Sequence, residues 1–225
     1  MEKRLLLLAA ELFDETWRDI SWETALSKLE RERINRIKSA KTVRRQVELL
    51  GGGLLIQFVL QGKERWENTS VAELEILSPQ EILSCLGTPV EIEYGYGEFG
   101  KPYIVGGEIS YSISHSKDMI FAAFSDGDIG ADIQYRRDID DAAVIKRFFT
   151  EDERKLWEQS RDEKQKRQLF YRLWCKKEAY GKLGGCGVVE VLQNNLLEPV
   201  EELLWEEYEV EEDYQIAVCR RKKFE

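Results

Sequence analysis

The stretch EYGYGEFGKPYI, residues 93–104, decides between two kinds of fold, because two nucleotide fingerprints lie over one another in it. Gly95, Gly97 and Gly100 satisfy G-x-G-x-x-G, and Gly95 through Lys101 satisfy the G-x-x-x-x-G-K of a phosphate loop. Either fingerprint works only where the glycines end a strand and open a helix whose amides face phosphate. Here Pro102, Tyr103, Ile104 and Val105 follow, and they extend the chain rather than coil it. A phosphate loop also needs Ser or Thr after its lysine to hold magnesium, and position 102 is a proline with neither hydroxyl nor backbone N–H. The stretch therefore reads as a glycine-rich turn, with Lys101 still able to meet a phosphate as a point charge.

Outward from this turn the pattern is that of short strands. PVEIEYGYG alternates before it, and Ile109, Tyr111 and Ile113 alternate with Ser110, Ser112 and Ser114 after it. Met119 to Phe124, an Asp126-Gly127 turn and Ile129 to Gln134 complete an apparent meander rather than a βαβ unit. Upstream, the apolar run Leu5 to Ala10 meets Glu11 and Asp14 where a secretion signal would need small residues, so it reads as a buried first strand. Leu26, Leu29, Ile34, Ile37, Val43, Val47 and Leu50 recur at helical spacing, which predicts one or two helices over residues 22–60 with a break at Ser39. Gly51, Gly52 and Gly53 inside that pattern each cost about 1 kcal/mol against alanine, so they mark a break or a very close packing contact. EILSCLG forms a short helix after Pro79. Two more helices open with Ser/Thr-x-x-Glu, at Thr150 with Glu153 and at Ser160 with Glu163, and the second ends at Gly184 and Gly185. Two strands around a turn at Glu211 to Asp213 close the chain.

With 225 residues, 43% of them hydrophobic, the chain can bury one substantial core or two small ones. No stretch reaches the roughly 18 apolar residues of a membrane span. Cys85, Cys175, Cys186 and Cys219 form no C-x-x-C pair, which points to reduced cytoplasmic thiols and away from thiolate metal sites. A net charge of −10 argues against general nucleic-acid binding, yet residues 28–45 (KLERERINRIKSAKTVRR) are strongly basic. Such a face suits an anionic ligand or partner, or is simply solvated.

The chemistry-bearing residues are few. His115, the only histidine, ends Ser112-Ile113-Ser114-His115-Ser116, and small hydroxyl residues around an imidazole suit an oxyanion. Asp132 and Gln134 lie on one face of a strand and Ile129, Ala131 and Ile133 on the other. A carboxylate there must be ion-paired, hydrogen-bonded or metal-bound, magnesium being the plausible metal. Trp174, Glu178 and Lys182 fall at i, i+4 and i+8 along one helical stripe, either as a surface pair or as a metal carboxylate and a phosphate clamp.

Taken in order, G-K-P, S-I-S-H-S, I-G-A-D-I, F-F-T-E-D-E and W-C-K-K-E-A-Y-G-K make the chain resemble the 4'-phosphopantetheinyl transferases of the surfactin type, from about Glu30 to Lys182. The resemblance implies an α+β fold of two similar α/β halves related by a pseudo-twofold axis, residues 1–105 and residues 106–225, the second carrying the metal site. It implies transfer of 4'-phosphopantetheine from coenzyme A to a serine of an acyl or peptidyl carrier protein, with release of adenosine 3',5'-bisphosphate, by a cytoplasmic monomer. It further implies that Arg33, Lys101, Ser114 and His115 contact coenzyme A, His115 at its 3'-phosphate. Asp132 and Glu178 would hold Mg2+, Lys182 would grip the pyrophosphate, and Glu178 would serve as base. Gln134 departs from the pattern, since many members have an acid there, and this motivates the alternative of a non-catalytic coenzyme A or nucleotide-binding protein. Glu153 matches an acidic family position near the metal, but it also completes a capping box with Thr150, and the cap is the favoured reading, with the metal position secondary.

Overall fold

The computed structural model of the chain describes residues 5–12, 20–62, 66, 74–138, 142–186, 191, 194–198 and 200–222. The chain is mixed α+β and divides into two compact units, Met1–Gly95 with Pro102–Asp126, and Tyr96–Lys101 with Gly127–Glu225. All four cysteines are free thiols. Among the described residues no helix is long and apolar enough to cross a membrane.

In the first unit, β1 (Leu5–Glu11) is apolar because it is an inner strand: Leu5 to Ala10 are all buried. The predicted helical stretch is three helices, α1 (Trp22–Leu26), α2 (Arg31–Ser39) and α3 (Val43–Gln61). Thr42 caps α3 by accepting from the Arg45 amide, and Ala40 is already extended, so the break expected at Ser39 lies just beyond it. The chain continues through β2 (Leu74–Leu77) and α4 (Pro79–Cys85), the latter started by a Ser78–Glu81 capping box. The triple glycine does not break α3. A Cβ at Gly51 would stand 2.6 Å from Leu12, one at Gly52 3.3 Å from Ile113, and one at Gly53 3.0 Å from Leu29 and Arg33. The missing side chains let α3 press against the sheet and against α2.

The glycine stretch is a hairpin, β3 (Tyr94–Tyr96) with β4 (Pro102–Ile104), closed by Gly97 N–H donating to the Lys101 carbonyl at 2.9 Å. Gly100 sits at φ +81°, and no helix follows, as Pro102 predicts. β5 (Ser110–Ser116) and β6 (Met119–Ser125) pair antiparallel and complete the sheet β2-β1-β6-β5, in which β1 and β2 run parallel.

The second unit begins with β7 (Ile129–Tyr135), and here the expected meander is corrected. β7 does not join β6 but leads a separate antiparallel sheet, β7-β9-β8. Between lie α5 (Ala142–Phe148), α6 (Glu151–Glu158) and α7 (Glu163–Gly184), followed by β8 (Leu203–Val210) and β9 (Tyr214–Arg221). The cap of α7 is also corrected: Asp162, not Ser160, accepts from the Gln165 amide. Gly185 ends α7 at φ +74°. Helix α7 lies on the sheet through Cys175, Ala179 and Leu183 against Ala217 and Cys219. Gly130 permits this approach, because a Cβ there would stand 2.0 Å from the Ala179 carbonyl oxygen.

Candidate functional site

Asp132 projects from the middle of β7, opposite Ala217 of β9, and its residue is 2% exposed. Lys182, near the end of α7, donates to Asp132 Oδ1 at 2.7 Å, and Gln134 donates through Nε2 to Asp132 Oδ2 at 2.8 Å. The Cys175 thiol donates to the Asp132 backbone carbonyl at 3.1 Å, so α7 grips β7 beside the carboxylate. Glu178, one turn before Lys182, has its carboxyl pushed up by burial and then by the charge of Asp132, while Lys182 pulls it down. The structure therefore brings Asp132, Gln134, Glu178 and Lys182 together. Trp174, the start of the stripe, packs edge-on against Phe148 at 5.3 Å and belongs to the core.

Two acids against one ammonium leave this cluster with one negative charge to spare. Turning the Gln134 amide over would present its oxygen beside the two carboxylates. Such a set of hard oxygens suits a hard divalent cation. Among the described residues no group of three or more His, Cys, Asp or Glu converges as a metal cage. A cation here would rest on two carboxylates and on oxygens brought by the ligand.

Glu153 is placed plainly. It completes the capping box, accepting from the Thr150 amide at 2.8 Å, and its carboxylate also meets Lys177 at 2.9 Å with both side chains fully buried. The Leu196 amide donates to its other oxygen at 3.1 Å, and Lys177 donates to the Asn194 carbonyl at 2.9 Å. Lys101 donates to the carbonyls of Ile129, at 2.8 Å, and of Leu183, at 3.4 Å, and burial pushes its ammonium down. It ties the hairpin tip to the start of β7 and the end of α7.

In the first unit, Ser114 and His115 fall on opposite faces of β5, Ser114 buried and His115 exposed. His115 Nε2 lies 3.2 Å from Glu48 Oε2 and 3.4 Å from a terminal nitrogen of Arg45. Arg44 and Arg45 also reach Glu48, at 3.1 and 3.2 Å. This cluster was not foreseen from the sequence. Its local half, Arg44 and Arg45 with Glu48 at i+4 and i+3, is a readable helical pattern, but nothing local marks His115 as their neighbour.

Arg33 is elsewhere in the first unit, 5% exposed, its guanidinium donating to the Tyr94 hydroxyl at 2.9 Å. Tyr94 in turn donates to Glu30 at 2.8 Å, and Gln57 donates to the second Glu30 oxygen at 2.8 Å. The basic segment is thus partly committed inward, since Lys28 also donates to the Leu86 carbonyl at 2.7 Å. The arginines beside His115 are Arg44 and Arg45.

The stretch from the turn ahead of β7 to the interior of β9, residues 128–219, matches the family model of the 4'-phosphopantetheinyl transferase superfamily. The matched segment contains Asp132, Gln134, Glu178 and Lys182. Curated members of the 4'-phosphopantetheinyl transferase superfamily resemble the chain as well. It is 34% identical over 115 residues to the 4'-phosphopantetheinyl transferase gsp of Aneurinibacillus migulanus, covering 51% of this chain and 47% of that one. It is 31% identical over 147 residues to a 4'-phosphopantetheinyl transferase of Bacillus subtilis, covering 58% and 64%. With the 4'-phosphopantetheinyl transferase Sfp of Bacillus subtilis (strain 168) the identity is 30% over 144 residues, covering 57% and 63%. The chain thus spans between about half and two thirds of the length of these relatives.

Proposed function

We propose that this protein transfers the 4'-phosphopantetheine moiety of coenzyme A to a serine of an acyl or peptidyl carrier protein, with Mg2+, acting as a cytoplasmic monomer. The observation that carries the reading is the Asp132–Lys182 contact of 2.7 Å with Glu178 one turn away, inside the segment matched to the superfamily. The residues fit the metal, because a buried Asp132 and a Glu178 carboxyl raised by burial and then by the Asp132 charge form a site that a cation would relieve.

Asp132 and Glu178 would hold Mg2+, which when bound supplies charge neutralisation on the diphosphate oxygens. Lys182, which now neutralises Asp132, can turn its ammonium to the same diphosphate. The carrier serine oxygen forms a bond to the phosphorus that bears pantetheine. The bond from that phosphorus to the bridging oxygen breaks, and the oxygen leaves with adenosine 3',5'-bisphosphate. The serine proton goes to Glu178, directly or through a water, and a carboxylate whose pKa is raised by burial is the stronger base for that role. Lys101, Ser114, His115 and Arg33 remain our assignments for the coenzyme A nucleotide, with Arg44 and Arg45 added beside His115.

The test is incubation with coenzyme A, Mg2+ and a panel of apo-carrier proteins, read by intact mass. A gain of one phosphopantetheine on a carrier is expected. Binding of coenzyme A with no gain on any carrier would replace the enzyme by a coenzyme A-binding protein.

A further inference from the structure

The His115 cluster contains a charge that a phosphate site should not have. Glu48 comes from the second turn of α3 with its side chain 7% exposed, and three nitrogen-bearing groups converge on it. Arg44 reaches Oε1 at 3.1 Å, while Arg45 and His115 both reach Oε2 at 3.2 Å. The carboxylate is therefore an anion already installed where Arg44, Arg45 and His115 would otherwise receive one from a ligand.

We infer that Glu48 sets the nucleotide specificity of this site by cancelling the preference for a 3'-phosphate, so that nucleotides with a free 3'-hydroxyl are accepted alongside 3'-phosphorylated ones. The inference rests on the coenzyme A reading of His115 given above. A phosphate approaching His115 Nε2 meets the Glu48 oxygen that is 3.2 Å from that nitrogen, and like charges so placed in a partly desolvated site disfavour the complex strongly. A ribose hydroxyl meets the opposite situation, because a carboxylate is a hydrogen-bond acceptor and the hydroxyl is a donor. Dinucleotide sites use the same pair of choices: an acid accepts from a ribose hydroxyl, and an arginine takes the phosphate that replaces it. Here both groups stand together. Glu48 is buried among its three partners, whereas the arginine side chains are half exposed, 52% for Arg44 and 50% for Arg45, and would turn to a phosphate by releasing Glu48 and, for Arg44, the Lys117 carbonyl to which it also donates. The site thus offers an acceptor to a hydroxyl and movable cations to a phosphate.

Equilibrium titration of adenosine 3',5'-bisphosphate and adenosine 5'-monophosphate tests this without any requirement for catalysis. In the unaltered protein the two dissociation constants should lie within about tenfold of each other, and Glu48→Gln should tighten the bisphosphate by about tenfold or more with little change for the monophosphate. Glu48→Gln keeps the shape and two hydrogen-bonding atoms, and its melting curve reports whether it folds. If it does not fold, the ratio in the unaltered protein, together with transfer rates from coenzyme A and 3'-dephospho-coenzyme A, decides alone. A bisphosphate preference above about a hundredfold in the unaltered protein, a ratio unmoved by Glu48→Gln, or no binding of either nucleotide overturns the inference. Failure of transfer from both donors, with the binding ratio as expected, would instead remove the proposed reaction and leave the role of Glu48 standing.

Discussion

Replacing Gly130 by alanine should damage both stability and chemistry, by an amount that follows from one contact. The new Cβ would stand 2.0 Å from the Ala179 carbonyl oxygen, 2.4 Å from the Leu183 nitrogen and 2.9 Å from the Leu183 Cα. Carbon and carbonyl oxygen approach to about 3.3 Å at closest, so β7 and α7 must separate by about 1.3 Å, the difference from the 2.0 Å above. All three obstacles are backbone atoms of a helix, which cannot rotate aside. Overpacking of a core costs about 1–3 kcal/mol, and a clash with rigid backbone belongs at the upper end, near about 3 kcal/mol. For a chain of this size that corresponds to a fall in Tm of about 6–12 °C. Asp132 lies two residues further along the same strand and face, and its 2.7 Å contact with Lys182 does not survive such a separation. Misplacement of reacting groups by about 1 Å costs about a hundredfold in rate. Differential scanning calorimetry and the carrier-transfer assay read the two effects, with Gly97→Ala as control, since its Cβ would meet only the Lys101 carbonyl at 3.7 Å. A Gly130→Ala protein that melts within about 2 °C of the parent and transfers at the parent rate would refute the packing argument.

Glu178→Gln should abolish transfer yet raise Tm at neutral pH in the absence of divalent cations. Its carboxyl is raised in the folded protein, so it favours the fold below its unfolded pKa and that contribution is lost as pH rises through the raised value; the gain from Gln should therefore vanish in acid, and a pH-independent difference in Tm would contradict it. Gln134→Glu should tighten apparent Mg2+ affinity in the transfer assay, because an amide that now donates to Asp132 is replaced by a carboxylate oxygen; an unchanged Mg2+ dependence would count against its place in the site. Glu153→Ala should cost about 3–5 kcal/mol in urea unfolding by stranding the buried Lys177 ammonium, and Glu153→Ala with Lys177→Met should recover part of it; equal losses would show that the pair is not the source.

What was legible beforehand was whatever rests on local chemistry. Pro102 after Lys101 excluded a phosphate-loop helix, and the hairpin formed. The Thr150 capping box, the stop at Gly185 and the β8–β9 turn were equally local. Competition among local signals produced the error at α7, where Asp162 with Gln165 took the cap from Ser160 with Glu163 and left Glu163 in the first turn, favourable to the helix dipole. Strand partners were the larger loss. The Asp126-Gly127 turn has the composition of a hairpin, yet β6 finds β1 and β7 finds β9, because a central strand is chosen by which apolar faces fit. The pairing of His115 with Glu48 was invisible for the same reason: it depends on α3 reaching β5, a contact that only the glycines of α3 hinted at.

Those glycines and Gly130 solve one problem in two places. In the first unit α3 presses on the sheet where Gly52 meets Ile113, and the next residue on that face of the strand is His115, which meets Glu48 one turn back along the helix. In the second unit α7 presses on β7 where Gly130 meets Ala179 and Leu183, and the next residue on that face is Asp132, which meets Lys182 and the charge of Glu178. In each case a missing Cβ lets helix and strand approach closely enough for direct polar contacts between side chains that would otherwise need water between them. The contact and the polar pair are separated by one step of two residues on a strand, so a displacement at the glycine passes to the pair almost undiminished. Substitution at either contact should therefore act on the proposed binding or chemistry through position, without touching a charged group.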